Sequence, residues 1–178
     1  MIYAGIGSRT TPDNVLAMMV RIASEMAEAG WTLRSGHAGG ADTAFESGCS
    51  AVNGKKEIFI PWAGFNDAPN NHPDYIVKKP TEKEITLAAS FHPNWGRCSN
   101  GARKLHIRNL YQIFGHTETS PKTDLVICWT KDGKDSGGTG QALRIAKHEG
   151  VPCFNLFDRD NLNDLLSFVK EFENSVKI

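Results

Sequence analysis

The sequence predicts an α/β fold: a doubly wound parallel sheet of about five strands in the order 3-2-1-4-5, with helices on both faces. Three observations predict it. Short apolar runs alternate with longer stretches whose apolar residues recur every three or four positions, the signature of strands and amphipathic helices. Their order is β-α-β-α-β, an irregular insertion, then β-α-β-α, and parallel neighbours of this kind need crossover helices. The turns after three of the strands are rich in glycine. With 178 residues, the chain is expected to bury roughly 70% of its unfolded surface, enough for a substantial core.

Each element follows from local chemistry. Ile2 to Ile6 is a buried strand closed by Gly7-Ser8-Arg9-Thr10. Thr11 is placed to cap the next helix and Pro12 to occupy its first turn. That helix carries Val15, Met18, Met19, Ile22 and Met26 on one face and ends at Gly30. Trp31 to Arg34 is the second strand, running into Ser35-Gly36-His37-Ala38-Gly39-Gly40-Ala41-Asp42. A helix to about Asn53 and a third strand at Glu57–Ile60 follow. Regularity breaks over about 62–122, where Asn70-Asn71-His72-Pro73 and His92-Pro93-Asn94 flank a short helix near Thr81–Phe91. A longer helix is expected from Ser99 to Phe114. Asp124–Trp129 is the clearest strand, Ser136-Gly137-Gly138-Thr139-Gly140 opens a helix through His148, and Val151–Leu156 is the last strand. The closing helix presents Leu162, Leu165, Leu166, Val169 and Phe172 at core spacing. The chain reads as one domain over 1–178 with a lid-like insertion at about 62–122.

Composition narrows the function. Hydrophobic residues at 40% and charged residues at 22% exclude a disordered chain. Lys+Arg and Asp+Glu number 20 each, which counts against a non-specific polyanion binder but leaves room for a local basic patch. No apolar run approaches the ~18 residues of a membrane span, and the first residues read directly as a strand. A cytoplasmic location with no membrane partner is therefore expected. Of Cys49, Cys98, Cys128 and Cys153, none forms a C-x-x-C pair; Cys128 and Cys153 lie in apolar strand runs and read as core.

Three glycine-rich loops follow strands one, two and four, and parallel topology brings them to one sheet edge. They are Gly5-Ile6-Gly7-Ser8-Arg9, Ser35 to Asp42, and Ser136 to Gln141. Glycine admits close backbone approach, and helix N-termini offer free N–H groups to a phosphate. Ligands in such sheets sit at the strand ends where the order reverses. A phosphate-bearing ligand held by Gly7, Ser8, Arg9, Ser35, Gly36, His37, Gly39, Gly40, Gly137, Gly138, Thr139 and Gly140 is expected. The dinucleotide pattern is not met, because Thr10 stands at the third glycine position and no acidic residue ends strand two. The P-loop lysine is also absent, and no cofactor is expected.

Taken together, Gly7-Ser8-Arg9, Ser35–Asp42, His106-Ile107-Arg108-Asn109 and Gly137-Gly138-Thr139-Gly140 resemble the SLOG superfamily. That group includes the DNA-processing protein DprA (Smf), the cytokinin-activating LOG phosphoribohydrolases and the YspA- and YpsA-like proteins, with the YspA-like branch the nearest in motif order. The resemblance spans most of residues 1–156. It implies a Rossmann-like fold, a nucleotide or nucleotide-derived ligand, a homodimer or higher homo-oligomer, and in some members cleavage of an N-glycosidic bond. The LOG pattern places a catalytic glutamate where this chain has Arg144; Arg108 matches the family arginine, and the Arg-Asn helix of the resemblance implies Asn109 as a further ligand contact. A DprA-like single-stranded DNA binder is the alternative the resemblance implies.

The missing carboxylate has two substitutes. Asp42 opens the helix after loop two and Glu46 follows one turn later on the same face, so Asp42, Glu46 and Arg108 are the candidate catalytic set. An acidic group near the sugar would stabilise oxocarbenium character or activate water. Against this stands the favoured role for Asp42, holding its own loop through backbone N–H groups. Lys104 and Arg108 are four apart and share a helix face, either to grip a phosphate or as a solvated basic surface. His72, His92, His106 and His116 fall in the insertion with Cys98, but no two have ligand-pair spacing. No metal is expected. Trp62, Phe65, Tyr75, Phe91, Trp95 and Trp129 are candidates for stacking on a base or for packing.

Overall fold

The computed structural model describes residues 1–176. Along the chain run β1 (Ile2–Gly7), α1 (Asp13–Glu28), β2 (Thr32–Ser35), α2 (Ala41–Ala51), β3 (Lys56–Phe59), β4 (Tyr75–Ile76), α3 (Glu82–Ser90), α4 (Asn100–Phe114), β5 (Leu125–Trp129), α5 (Gly137–His148), β6 (Cys153–Asn155) and α6 (Asp160–Val176). The sheet order is β4-β3-β2-β1-β5-β6, and every strand pair is parallel. The predicted order is found with one addition. The two-residue β4 lies in the Pro/Asn/His-rich segment and pairs through Ile58 and Phe59, making six strands where about five were expected.

Alternation along the strands divides the interior into two cores. In β5 every residue is buried. Leu125, Ile127 and Trp129 face one core, and Val126 and Cys128 face the other. The first core packs α1, α2 and α6 against the sheet; the second packs α3, α4 and α5. At about 1.5–3 kcal/mol for each fully buried large apolar side chain, β5 is the strand both layers depend on. Its Gly7-to-Trp129 register with β1 sets the point where strand order reverses.

Several local expectations are corrected. Thr11 does not cap α1: its hydroxyl donates to the Ser8 carbonyl (2.7 Å), which fixes the β1–α1 loop, and Pro12 takes the N-cap position without a side-chain bond. The C-terminus of α1 behaves as read, with Gly30 at φ +86° and Trp31 N–H bonding Met26 O (2.9 Å), a glycine-terminated helix end. Leu166 is 55% exposed, whereas Leu165 is buried. Cys128 is buried as expected, but Cys153 is only partly so. Within the segment 62–122, α4 buries Ile107, Leu110, Tyr111 and Ile113 in the second core and forms one wall of the crevice described next.

Candidate functional site

At the carboxyl ends of β1 and β5 lies a crevice of about 750 Å³, within the range of small-molecule sites. Its walls are the β1–α1 loop, the start of α2, one face of α4 and the start of α5. Of the sequence-predicted residues, Gly7, Ser8, Arg9, Asp42, Arg108, Asn109, Gly137, Gly138 and Thr139 line it.

The α5 wall presents a helix N-terminus. The first intrahelical bond is donated by Gly140 N–H to the Ser136 carbonyl (3.0 Å), so the N–H groups of Gly137, Gly138 and Thr139 precede it. A Cβ at Gly138 would meet open space. Asn109 holds this turn in place, donating to the Gly138 carbonyl (3.1 Å) and to Gln141 Oε1 (3.0 Å). Lys131 and Arg144 add positive charge to the lining, and Asp135 is the acidic residue beside them. Arg144 is tied to the carbonyls of Phe91 (3.0 Å) and Asp135 (2.9 Å). Where the LOG pattern has a carboxylate, this crevice therefore has a fixed guanidinium.

The α4 wall presents Arg108 and Gln112, one turn apart, 6% and 1% exposed. Arg108 Nε and Gln112 Nε2 are buried with no hydrogen-bond partner among the described residues. Both side chains lie over Gly36, where a Cβ would overlap the Arg108 guanidinium. Gly36 thus makes room for the arginine. Arg108 Nη1 stands 3.6 Å from Asp42 Oδ2, an ion pair too long for a hydrogen bond. Burial lowers the guanidinium below its ordinary value and Asp42 restores part of this.

Asp42, 3% exposed, accepts N–H bonds from Gly7 (3.2 Å) and Ala38 (3.4 Å). It therefore fastens loops one and two to the start of α2, and it also faces the crevice. Burial pushes its carboxyl up to about 6, against the opposing pull of Arg108 and the two N–H groups.

Other candidates are placed elsewhere. Glu46 turns away from the crevice: its carboxylate pairs with His37 Nδ1 (2.7 Å) and accepts the Tyr75 hydroxyl. His37 is held in this group, its Nε2 near the Asn66 carbonyl (3.2 Å). Burial and Glu46 raise the Tyr75 phenol above its usual range. Ser35 donates to the Gly5 carbonyl (2.7 Å). Gly40, at φ +85°, lets the Ser8–Arg9 backbone approach, and Gly140 packs on the Asp135 backbone. Gly39 is outside the lining. Lys104 is exposed on α4 and is not part of the wall. None of the six stacking candidates lines the crevice. Trp129 packs in the first core and against Phe157, while Tyr75 contacts His37 and His72.

The histidines give a result the spacing did not anticipate. His92, Cys98 and His106 offer ligand atoms all within 4.8 Å of one another, and His92 and His106 line the crevice. Burial holds His106 below the usual histidine value, partly offset by its bond to Gln141. His72 and His116 lie apart, beside Tyr75 and Phe59. Sequence reading also missed Gln112, Lys131 and Arg144. Gln112 lies one turn after Arg108 on α4, and Arg144 one turn after Gly140 on α5, so both were within reach of a helical-spacing argument.

A parallel α/β sheet with a crevice at its switch point, arginine and lysine side chains among its lining, defines a Rossmann-like fold. The same fold occurs in DNA processing protein A from Helicobacter pylori, known for its single-stranded DNA binding mode: 18% identity, 99% of this chain and 80% of that one covered, TM-score 0.58. It occurs as well in the Moco carrier protein of Chlamydomonas rheinhardtii, at 15% identity over 86% of this chain and 73% of that one, TM-score 0.50. These likenesses show that the chain shares its α/β fold with those two proteins. No protein-family model and no curated protein sequence matches it. No helix among the described residues is long and apolar enough to cross a membrane.

Proposed function

We propose that the chain binds a small phosphate-bearing ligand of the nucleotide class in this crevice. The observation that carries the reading is that Arg108 and Gln112, which hold buried donors without partners among the described residues, line the same crevice as the first residues of α5. A buried donor without a partner is unfavourable by about 1–3 kcal/mol, and an anionic oxygen would satisfy it. A helix N-terminus favours the same charge. Arg9, exposed at the rim, is free to close over the ligand. The motif order resembling the YspA-like branch and the fold shared with a cofactor carrier support the same reading.

Asp42 favours a second reading, hydrolysis of the N-glycosidic bond of a nucleoside monophosphate. A carboxyl poised at about 6 is suited to general acid–base work near neutrality. Glu46, paired with His37 and Tyr75, does not share that role. The DprA-like reading, with single-stranded DNA as the partner, rests on the resemblance of the Ser35–Asp42 loop and on the shared fold, and the zero formal net charge restricts its electrostatic support to a local patch.

The test incubates untagged protein with nucleoside 5′-monophosphates, the matching nucleosides and a single-stranded oligonucleotide. Retention is read by equilibrium dialysis and free base by chromatography with mass detection. Saturable retention of a monophosphate, but not its nucleoside, supports the proposal. Retention of the oligonucleotide alone, with steep salt dependence, would replace it with the DNA reading. Free base lost in Asp42→Asn would establish the hydrolase.

A further inference from the structure

We propose that His92, Cys98 and His106 form a zinc site in the wall of the crevice, with three protein ligands and a fourth position for water or an anionic oxygen. The three residues come from different places: His92 just after α3, Cys98 at the end of the Trp95–Arg97 3₁₀ turn, and His106 in α4. The turn folds the thiol back toward the histidine, so Sγ lies 3.7 Å from His92 Nδ1 and 3.8 Å from Nε2. The two imidazole rings are 4.2 Å apart between centroids. With Zn–S near 2.3 Å and Zn–N near 2.0–2.1 Å, a tetrahedral ion needs ligand atoms roughly 3.3–3.7 Å apart. The thiol–imidazole separation already matches.

His106 is oriented by its neighbours as a metal ligand would be. Gln141 Nε2 donates to the Ala88 carbonyl (2.8 Å), which turns Oε1 toward His106 Nδ1 (2.9 Å). An amide oxygen only accepts, so Nδ1 carries the proton and Nε2 keeps its lone pair. A fixed outer partner on the second ring nitrogen is the usual companion of metal-bound histidine. The thiol donates to the Asn94 carbonyl (3.6 Å) and His92 Nδ1 accepts the Asn94 N–H (3.2 Å). Binding exchanges these weak bonds for metal bonds: the Cys98 S–H proton leaves to solvent as the thiolate–zinc bond forms. Two imidazoles and one thiolate suit zinc, whereas hard cations such as magnesium and calcium prefer oxygen. This site stands on its own residues, whether or not the crevice takes a nucleotide.

The test titrates untagged, metal-free protein with zinc against a chromophoric chelator, and with cobalt(II) as a spectroscopic probe. One equivalent of zinc is expected, and cobalt is expected to give tetrahedral visible bands with a thiolate charge-transfer band. Cys98→Ser should remove that band and weaken zinc by at least ~100-fold, beyond the range seen for loss of an outer partner. His72→Ala and His116→Ala should bind as wild type. The wild type supplies a reading independent of any variant's folding: zinc should protect Cys98 from iodoacetamide, located by peptide mapping. No stoichiometric zinc, an unchanged affinity in folded Cys98→Ser, or unprotected Cys98 would overturn the proposal.

Discussion

Asp42 and Arg108 are both buried beside the crevice, and each constrains the other. For Asp42 the carboxyl is raised to about 6 in the fold, above the roughly 3.9 of an unfolded aspartate. The native state therefore holds the extra proton between these values, and stability is lost as pH rises from about 4 to 6. Asp42→Asn mimics the protonated form at every pH. Relative to wild type it should gain roughly 2–3 kcal/mol between pH 4 and pH 8, read from denaturant midpoints at the two pH values. A pH-independent difference would mean that Asp42 is ionised without penalty. On the ligand side, Arg108→Ala should weaken nucleotide binding by at least ~1 kcal/mol, the scale of a charge-assisted hydrogen bond. Arg9→Ala, at an exposed position, should weaken it too with no change in melting temperature. Equal binding by both variants would remove the arginines from the site. Arg9, Asp42 and Arg108 were legible in the sequence because each sits at a fixed offset from a strand end or a helix start. Glu46 was misread, since helical spacing places it near Asp42 but says nothing of Tyr75 and His37, which arrive from elsewhere in the chain and turn it away.

At the scale of elements, α5 is the part on which the proposed phosphate binding would depend. Gly138→Val adds a side chain into open space, so it should leave helix content and thermal stability unchanged while reducing nucleotide affinity at least tenfold, as measured by circular dichroism and equilibrium dialysis. Normal binding by a folded variant would make the third loop purely structural. The position of α4 depends on Arg34, buried beneath its C-terminal end, where it bonds Glu57 (2.7 Å) and the Pro121 carbonyl (2.8 Å). A cation there also complements the helix dipole. Arg34→Ala should destabilise the fold by about 3 kcal/mol, the lower end of the range for breaking a buried pair, since Glu57 retains some solvent contact. A loss below ~1 kcal/mol, the range of a solvent-exposed pair, would contradict that role. The long periodic elements were legible because apolar spacing and terminal glycine or serine marked them. The edge strand β4 was not: two residues, Tyr75 and Ile76, carry no period. Likewise the His92–Cys98–His106 grouping depends on a short 3₁₀ turn, which no ligand spacing encodes.

For the molecule as a whole, the order of strands and helices determines where function is sought. Because β1 and β5 are neighbours while their helices depart to opposite faces, a crevice opens between their following loops. This much followed from the β-α alternation alone. What fills the crevice walls did not, because Gln112, Lys131 and Arg144 gain meaning only once α4, the β5–α5 loop and α5 are set side by side. Of the two roles open to the aromatic residues of the insertion, stacking on a ligand and packing, none of the six candidates takes a place in the lining, which instead presents guanidinium, amide, imidazole and helix N–H groups. The proposed recognition is thus of anionic oxygen rather than of a base face. An amide and arginine side-chain NMR titration of the intact chain with a nucleoside 5′-monophosphate tests this most directly. The account predicts that the Gly138 and Thr139 N–H and the Arg108 Nε–H resonances shift together and saturate at one equivalent, with no shift for the nucleoside. Saturable binding that leaves all three unmoved, or no binding at all, would contradict it.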